Sequence, residues 1–249
     1  MTATTFGSAA HRTKDWARVF ARNTQQWQQF AVDFDVQAAK LEPEFIGSIQ
    51  AFQLTEQSEG KRLMAIAQQY AAHHNAPDYV KAIQHFIREE QRHADYLSRV
   101  LQANGASTLT KQWTDSIFRN LRQLVGPELM LSLLLMAEIV AIAYYSSLAR
   151  ASQNLHAKRL FERILQDETT HIQFHCEHMT SFTPLLDSLR WTAQRLFLAM
   201  VTVVIWADHR HVLKYRFASV FQMMSYCNNL LTQCKKTALS VGSLYTGRC

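Results

Sequence analysis

Residues that end secondary-structure elements are scarce in this chain. Seven glycines and four prolines in 249 residues leave too few turns for a fold of many short strands, and no segment alternates apolar and polar residues convincingly. The four cysteines, Cys176, Cys227, Cys234 and Cys249, lack any C-x-x-C spacing. That excludes a thiolate zinc site or a rubredoxin-type module, and the cysteines read as thiols in a reducing compartment rather than as a disulfide framework. The N-terminal stretch "MTATTFGSAAHRTKDW" contains no apolar run of signal-peptide length, so the expected location is the cytoplasm. A concentrated basic patch is also missing. The formal charge is +6 and the pI near 9.2, but the cations are scattered and the only tight pair is Lys235–Lys236. Such a distribution describes a solvated surface, not a nucleic-acid interface.

What the chain does have is apolar periodicity. Hydrophobic residues make up 48% of it, enough for one large core, and they recur at spacings of three and four. The expected class is all-α. Pro43, Pro77, Pro127 and Pro184 each stand where a long periodic segment begins, the position a helix tolerates best. The spacing predicts helices over 13–39, 44–73, 77–103, 114–123, 127–151, 154–181, 184–212 and 214–236, followed by a frayed tail of about a dozen residues. No linker divides them, so a single domain over 1–249 is expected. The run Leu129–Ala149 is long enough to span a bilayer, but it carries Glu138 at its middle, where lipid would penalise a carboxylate. No cationic asymmetry flanks it, and a helix enclosed by other helices accounts for it better. The second apolar run, Leu196–Ala207, is too short to span, so no membrane association is expected.

The apolar stripes share one peculiarity. Helix 77–103 carries Tyr79, Ile83, Phe86, Glu90, His93, Leu97 and Leu101 on one face. Helix 127–151 carries Leu131, Leu135, Glu138, Ile142 and Tyr145. Helix 44–73 carries Ile49, Phe52, Glu56, Glu59, Leu63, Ile66 and Tyr70. In helix 154–181, Phe161 and Ile164 are followed on the same face by Glu168, His171 and His175. Each stripe turns ionisable near its middle. Two copies of E-x-x-H stand out, Glu90 with His93 and Glu168 with His171. Glu59 lies thirty-one residues before the first and Glu138 thirty before the second.

Buried carboxylates without partners cost several kcal/mol each or take up protons, and no lysine or arginine shares these faces. Two divalent cations would neutralise four such carboxylates, and oxygen donors with one imidazole per ion suit iron or manganese. The expected ligands are Glu59, Glu90, His93, Glu138, Glu168 and His171. Glu56 shares the face of Glu59, and either could bind. Glu89 and Asp167, each preceding an E-x-x-H glutamate, are placed to accept an N–H from the histidine of the other motif. His175 is either a third nitrogen ligand or a hydrogen-bonded core histidine. Tyr145 reads as a packed core residue, His209 and His211 as surface residues. Gly60 either leaves room beside the site or serves close packing.

This pattern resembles the ferritin-like di-iron carboxylate superfamily, which includes bacterioferritin, rubrerythrin and the ribonucleotide reductase small subunit. Its members place one glutamate from each of two helices and one E-x-x-H from each of two others in a four-helix core. The resemblance covers 44–181 and leaves out the helices 13–39 and 184–236. It implies a ferritin-like bundle holding two iron ions, or iron and manganese, that activates dioxygen with electrons from an external donor. Helices added around such a core favour oxidation of a small organic substrate by a monomer or small homo-oligomer. A ferroxidase or peroxide-detoxifying role is the alternative, and a tRNA-modifying hydroxylase is a further variant that the basic balance would suit. A metal-free interaction protein would leave the buried acids unexplained.

Overall fold

The computed structural model describes residues 15–57, 60–74, 76–111, 127–178 and 184–246. Every regular element among them is helical: α1 (Trp16–Asp33), a 3-10 turn (Pro43–Phe45), α2 (Ile46–Glu56), α3 (Lys61–His74), α4 (Pro77–Ala103), α5 (Pro127–Ala151), α6 (Leu155–Glu177), α7 (Pro184–Leu213) and α8 (Val220–Thr246). The sequence explains the boundaries. Asp15 caps α1 by accepting from the Arg18 amide at 3.1 Å, and Asn154 caps α6 by accepting from the Ala157 amide at 3.0 Å. Prolines open α4, α5 and α7, where their missing N–H leaves no gap. At the end of α4 the Asn104 side chain donates to Val100 O and Ala39 O, both at 2.8 Å, and accepts from Leu41 N at 2.9 Å. It therefore closes α4 and pins the segment that follows α1.

Helix α4 packs against α1, α2 and α3, while α5 lies along α6, and α7 and α8 pair with each other and cover both. One apolar cluster centres on Leu135, Ile139, Tyr144, Tyr145, Leu160 and Phe161. A second gathers Trp16, Phe20, Ile83, Phe86 and Phe174 beneath α1 and α3.

Several expectations need correction. The helix predicted over 44–73 is two helices, because the backbone breaks after Glu56 and Gly60 adopts φ +67°. A Cβ at Gly60 would stand 2.6 Å from Ile87 Cδ1, so this glycine serves a turn and a close approach to α4; it opens no space. The first helix ends at Asp33, six residues short of Ala39, and the last begins at Val220 and runs through the expected tail to Thr246. The helix expected over 114–123 lies outside the described residues. His209 is buried: its Nδ1 lies 2.8 Å from Ser48 Oγ, which also meets Tyr144 Oη at 2.9 Å. Cys176 of α6 and Cys234 of α8 are joined as a disulfide, so they are not thiols, and the argument from cysteine usage to a reducing compartment lapses. Cys227 is free and buried. Among the described residues two helices are long and apolar enough to cross a membrane: Leu129–Ala151, whose most apolar stretch is 83% buried, and Ser188–Leu213, whose most apolar stretch is only 39% buried. The first is accounted for by its neighbours. The second is longer than the sequence run suggested, and much of it is not covered.

Gly60→Ala combines a positive φ with a clash against Ile87. It should destabilise the protein by about 2 kcal/mol or more, read as a lower urea midpoint at unchanged slope, and trimming the obstacle with Ile87→Ala should recover part of the loss relative to Ile87→Ala alone.

Candidate metal centre

Four helices bring their ionisable residues to one buried place. Glu56 is the last residue of α2; Glu90 and His93 lie mid-way along α4; Glu138 lies mid-way along α5; Glu168 and His171 lie in the second half of α6. Their donor atoms form two overlapping groups, Glu56, Glu90, His93 and Glu168, and Glu90, Glu138, Glu168 and His171. Within each group one donor atom per residue lies within 4.8 Å of all the others. Glu90 and Glu168 belong to both. Glu59 lies outside the described residues, and Glu56 occupies the α2 position in the cluster.

The two histidines face inward in the same way. His93 Nδ1 stands 3.4 Å from Glu168, 3.8 Å from Glu90 and 4.0 Å from Glu56. His171 Nδ1 stands 3.2 Å from Glu90, 3.5 Å from Glu138 and 3.6 Å from Glu168. Each Nε2 points outward to an acid of the opposite motif: His93 Nε2 to Asp167 Oδ2 at 3.1 Å, and His171 Nε2 to Glu89 Oε2 at 3.0 Å. The acid beside one E-x-x-H thus orients the imidazole of the other. Such a contact keeps a proton on Nε2 and makes Nδ1 the nitrogen that faces the carboxylates.

Helix α1 completes this outer layer, a role that the sequence pattern did not reveal. Trp27 Nε1 donates to Asp167 Oδ2 at 2.5 Å, and Asn23 Nδ2 donates to Glu89 Oε2 at 3.4 Å. Arg163, one turn before Asp167 on α6, pairs with the other oxygen of that acid. Asn23 and Trp27 are one turn apart on the buried face of α1, with Trp16 and Phe20. Asn23 interrupts that apolar stripe just as Glu90 interrupts the stripe of α4, and it was the available signal.

On the inner side, Tyr145 donates to Glu56 Oε1 at 2.6 Å. His175 is fully buried against Phe86 and Phe174, and neither of its ring nitrogens has a hydrogen-bond partner. Partners are also lacking for Glu90 Oε1, both Glu168 oxygens, His93 Nδ1 and His171 Nδ1. Buried polar atoms are rarely left so. Five orphaned donor atoms converging on one place, all oxygen or imidazole nitrogen, fit a divalent cation.

Protonation shows how much charge the place concentrates. Burial pushes the Glu168 carboxyl up to about 8, and Glu138 beside it adds to the push. Burial, then Glu56, Glu138 and Glu168, hold Glu90 well above the usual carboxylate range. Burial also opposes charge on Glu138, but Glu168 and His171 outweigh it and hold that group at about 2. For His93 burial favours the neutral ring, yet Asp167 and Glu168 prevail and raise it to about 10. His171 is raised in the same way despite its burial, by Glu138, Glu168 and Glu89. Burial lowers His175 to about 4. Without a cation, protons neutralise this cluster.

Comparison with protein families, with curated proteins and with solved structures finds no match to this chain. The reading of the centre rests on its geometry.

A pH dependence follows. Glu168 and His93 both hold protons in the folded state that the unfolded chain has released at neutral pH. Their contribution is present at low pH and is lost as pH rises through about 8 and then about 10. The buried histidines lowered to about 4 act in the opposite sense, but only below the ordinary histidine range. Between about pH 7 and pH 9 the metal-free protein should therefore lose on the order of 3–4 kcal/mol, a Tm decrease of roughly 6–16 °C for a chain of this size. Added ferrous or manganous ion should raise Tm more at the alkaline end, as measured by calorimetry with and without chelator.

Proposed function

We propose that this chain is a ferritin-like di-iron, or iron–manganese, carboxylate oxidoreductase that activates dioxygen to oxidise a small organic substrate. One observation carries the reading: two donor groups, each of three carboxylates and one imidazole, share Glu90 and Glu168. A single cation would use one group and leave charge in the other. Two would use both, with Glu56 and His93 serving one ion, Glu138 and His171 the other, and the shared glutamates serving both. Bound together, two such ions supply the two electrons that start dioxygen reduction, and an external donor restores them.

The side chains around the centre have separable tasks. Asp167 and Glu89 fix the two imidazoles, and Trp27, Asn23 and Arg163 fix those acids. Tyr145 donates its phenolic hydrogen to Glu56 and so orients that carboxylate. His175 is the unpartnered group beside the centre, suited to a third nitrogen ligand or a contact with substrate. Phe86 and Phe174 shut water out on that side. The helices α1, α7 and α8, which surround the α2–α6 core, favour an enclosed reaction on an organic molecule over release of oxidised iron into a storage shell.

The purified protein should bind two iron or manganese ions per chain, and Glu138→Ala should lose most of that metal. One zinc per chain, or unchanged metal in the variant, removes the dimetal reading. Glu56→Ala and Glu59→Ala divide the helix-end assignment: the ligand is the one whose loss abolishes metal-dependent oxygen consumption. In anaerobic titration the reduced protein should then react with dioxygen about once per centre and stop until reductant is added. A large cage-like particle that continues to oxidise ferrous iron far beyond its own two equivalents would replace the oxygenase reading with iron storage.

A further inference from the structure

Helix α7 presents an apolar face that the other described residues leave bare. Leu189 is 63% exposed, Leu196 68%, Met200 55% and Val203 48%, and Ala193 and Ala207 on the same face are also exposed. The spacing of these six residues is four, three, four, three, four. That 3.5-residue repeat is the seam by which one helix packs against another, and it runs over nineteen residues without a charged member. The flanking positions Phe197, Ala199, Val204 and Trp206 are apolar and half-buried, widening the seam to a band.

We propose that a second copy of this chain docks on this face, with the two α7 helices antiparallel about a two-fold axis at the level of Leu198. The residue sizes select this arrangement. Antiparallel pairing about that level sets Leu189 against Ala207, Ala193 against Val203, and Leu196 against Met200, and the two-fold repeats each layer. Every layer then joins one branched side chain to a smaller or straighter one, which keeps the helix separation even. A parallel pair would instead stack like on like, with Leu–Leu and Met–Met layers too wide beside Ala–Ala layers too narrow. At the edges the same operation brings Phe197 to Phe197 and Ala199 to Ala199, and Thr192 to Trp206, with no like charges opposed. The band offers on the order of 500 Å2 per copy, so about 1,000 Å2 for the pair, at the lower bound of specific interfaces. The dimer is accordingly one that forms and separates with concentration. The interface stands on α7 alone and is independent of the metal centre.

Sedimentation velocity on the full chain over the micromolar range should show a monomer–dimer equilibrium. Leu196→Glu should weaken it at least about tenfold with unchanged circular dichroism, whereas Phe221→Ser, at an exposed apolar residue on α8, should leave it intact. In a Cys249→Ser background, Leu189→Cys mixed with Ala207→Cys should oxidise to a cross-linked pair, and neither variant should cross-link alone. A chain that stays monomeric, or a dimer indifferent to Leu196→Glu, overturns the proposal. Self-cross-linking of Leu189→Cys overturns the antiparallel arrangement. Monomers that bind phosphatidylcholine–phosphatidylglycerol vesicles and lose that binding with Leu196→Glu would assign the face to a lipid surface instead.

Discussion

The constraint on which the rest of this structure depends is the burial of negative charge where α2, α4, α5 and α6 meet. Glu56, Glu138 and Glu168 are buried there with most of Glu90, and Glu89 and Asp167 are buried just outside them. Among the described residues, the one guanidinium bonded to this group is that of Arg163, and it serves the outer acid Asp167. An apolar interior cannot hold such a cluster without compensation, which comes either from protons or from cations. The all-helical architecture suits the task because an α-helix satisfies its own backbone and frees the side chains for the centre. Each helix then needs to supply only one or two groups on an otherwise apolar stripe.

Much of this was legible in the sequence, for a physical reason. Helices α4 and α5 begin at Pro77 and Pro127 and end where expected, since proline at a first turn and an unbroken 3.6-residue stripe act locally. The two E-x-x-H motifs fall on one face by spacing alone, so Glu90, His93, Glu168 and His171 could be singled out before any contact was known. What was not legible depended on tertiary contact. The break after Glu56 is imposed by Gly60 lying against Ile87 of α4, and nothing local distinguishes that glycine from one tolerated mid-helix. Preference for Glu59 over Glu56 rested on the near-equal spacings of thirty-one and thirty residues, and Glu59 lies outside the described residues. His209, read as a surface residue near a helix end, is buried because Ser48 and Tyr144 reach it from α2 and α5. Cys176 and Cys234 are fifty-eight residues apart, and only the packing of α6 on α8 brings them together.

The outer layer has a logic of its own. Because Glu89 steadies His171 and Asp167 steadies His93, the two E-x-x-H motifs are interlocked, and neither imidazole is set by its own helix. Helix α1 fastens both outer acids from one face through Asn23 and Trp27. The orientation of both histidines therefore converges on a single peripheral helix, whose sequence carries none of the inner ligands.

Glu56 differs from its companions in one respect. The other carboxylates lie within long helices, gripped along both directions of the chain. Glu56 closes α2 immediately before the backbone turns away. The last turn of a helix bears the negative end of its dipole, where an anion is disfavoured by roughly a few tenths to 1 kcal/mol. Its own helix thus pushes against Glu56 while Tyr145 pulls it into place. Of the inner carboxylates gathered here it is the one at a helix end, so its place in the ring is set by a phenol from another helix where the others are set by the turns on either side of them.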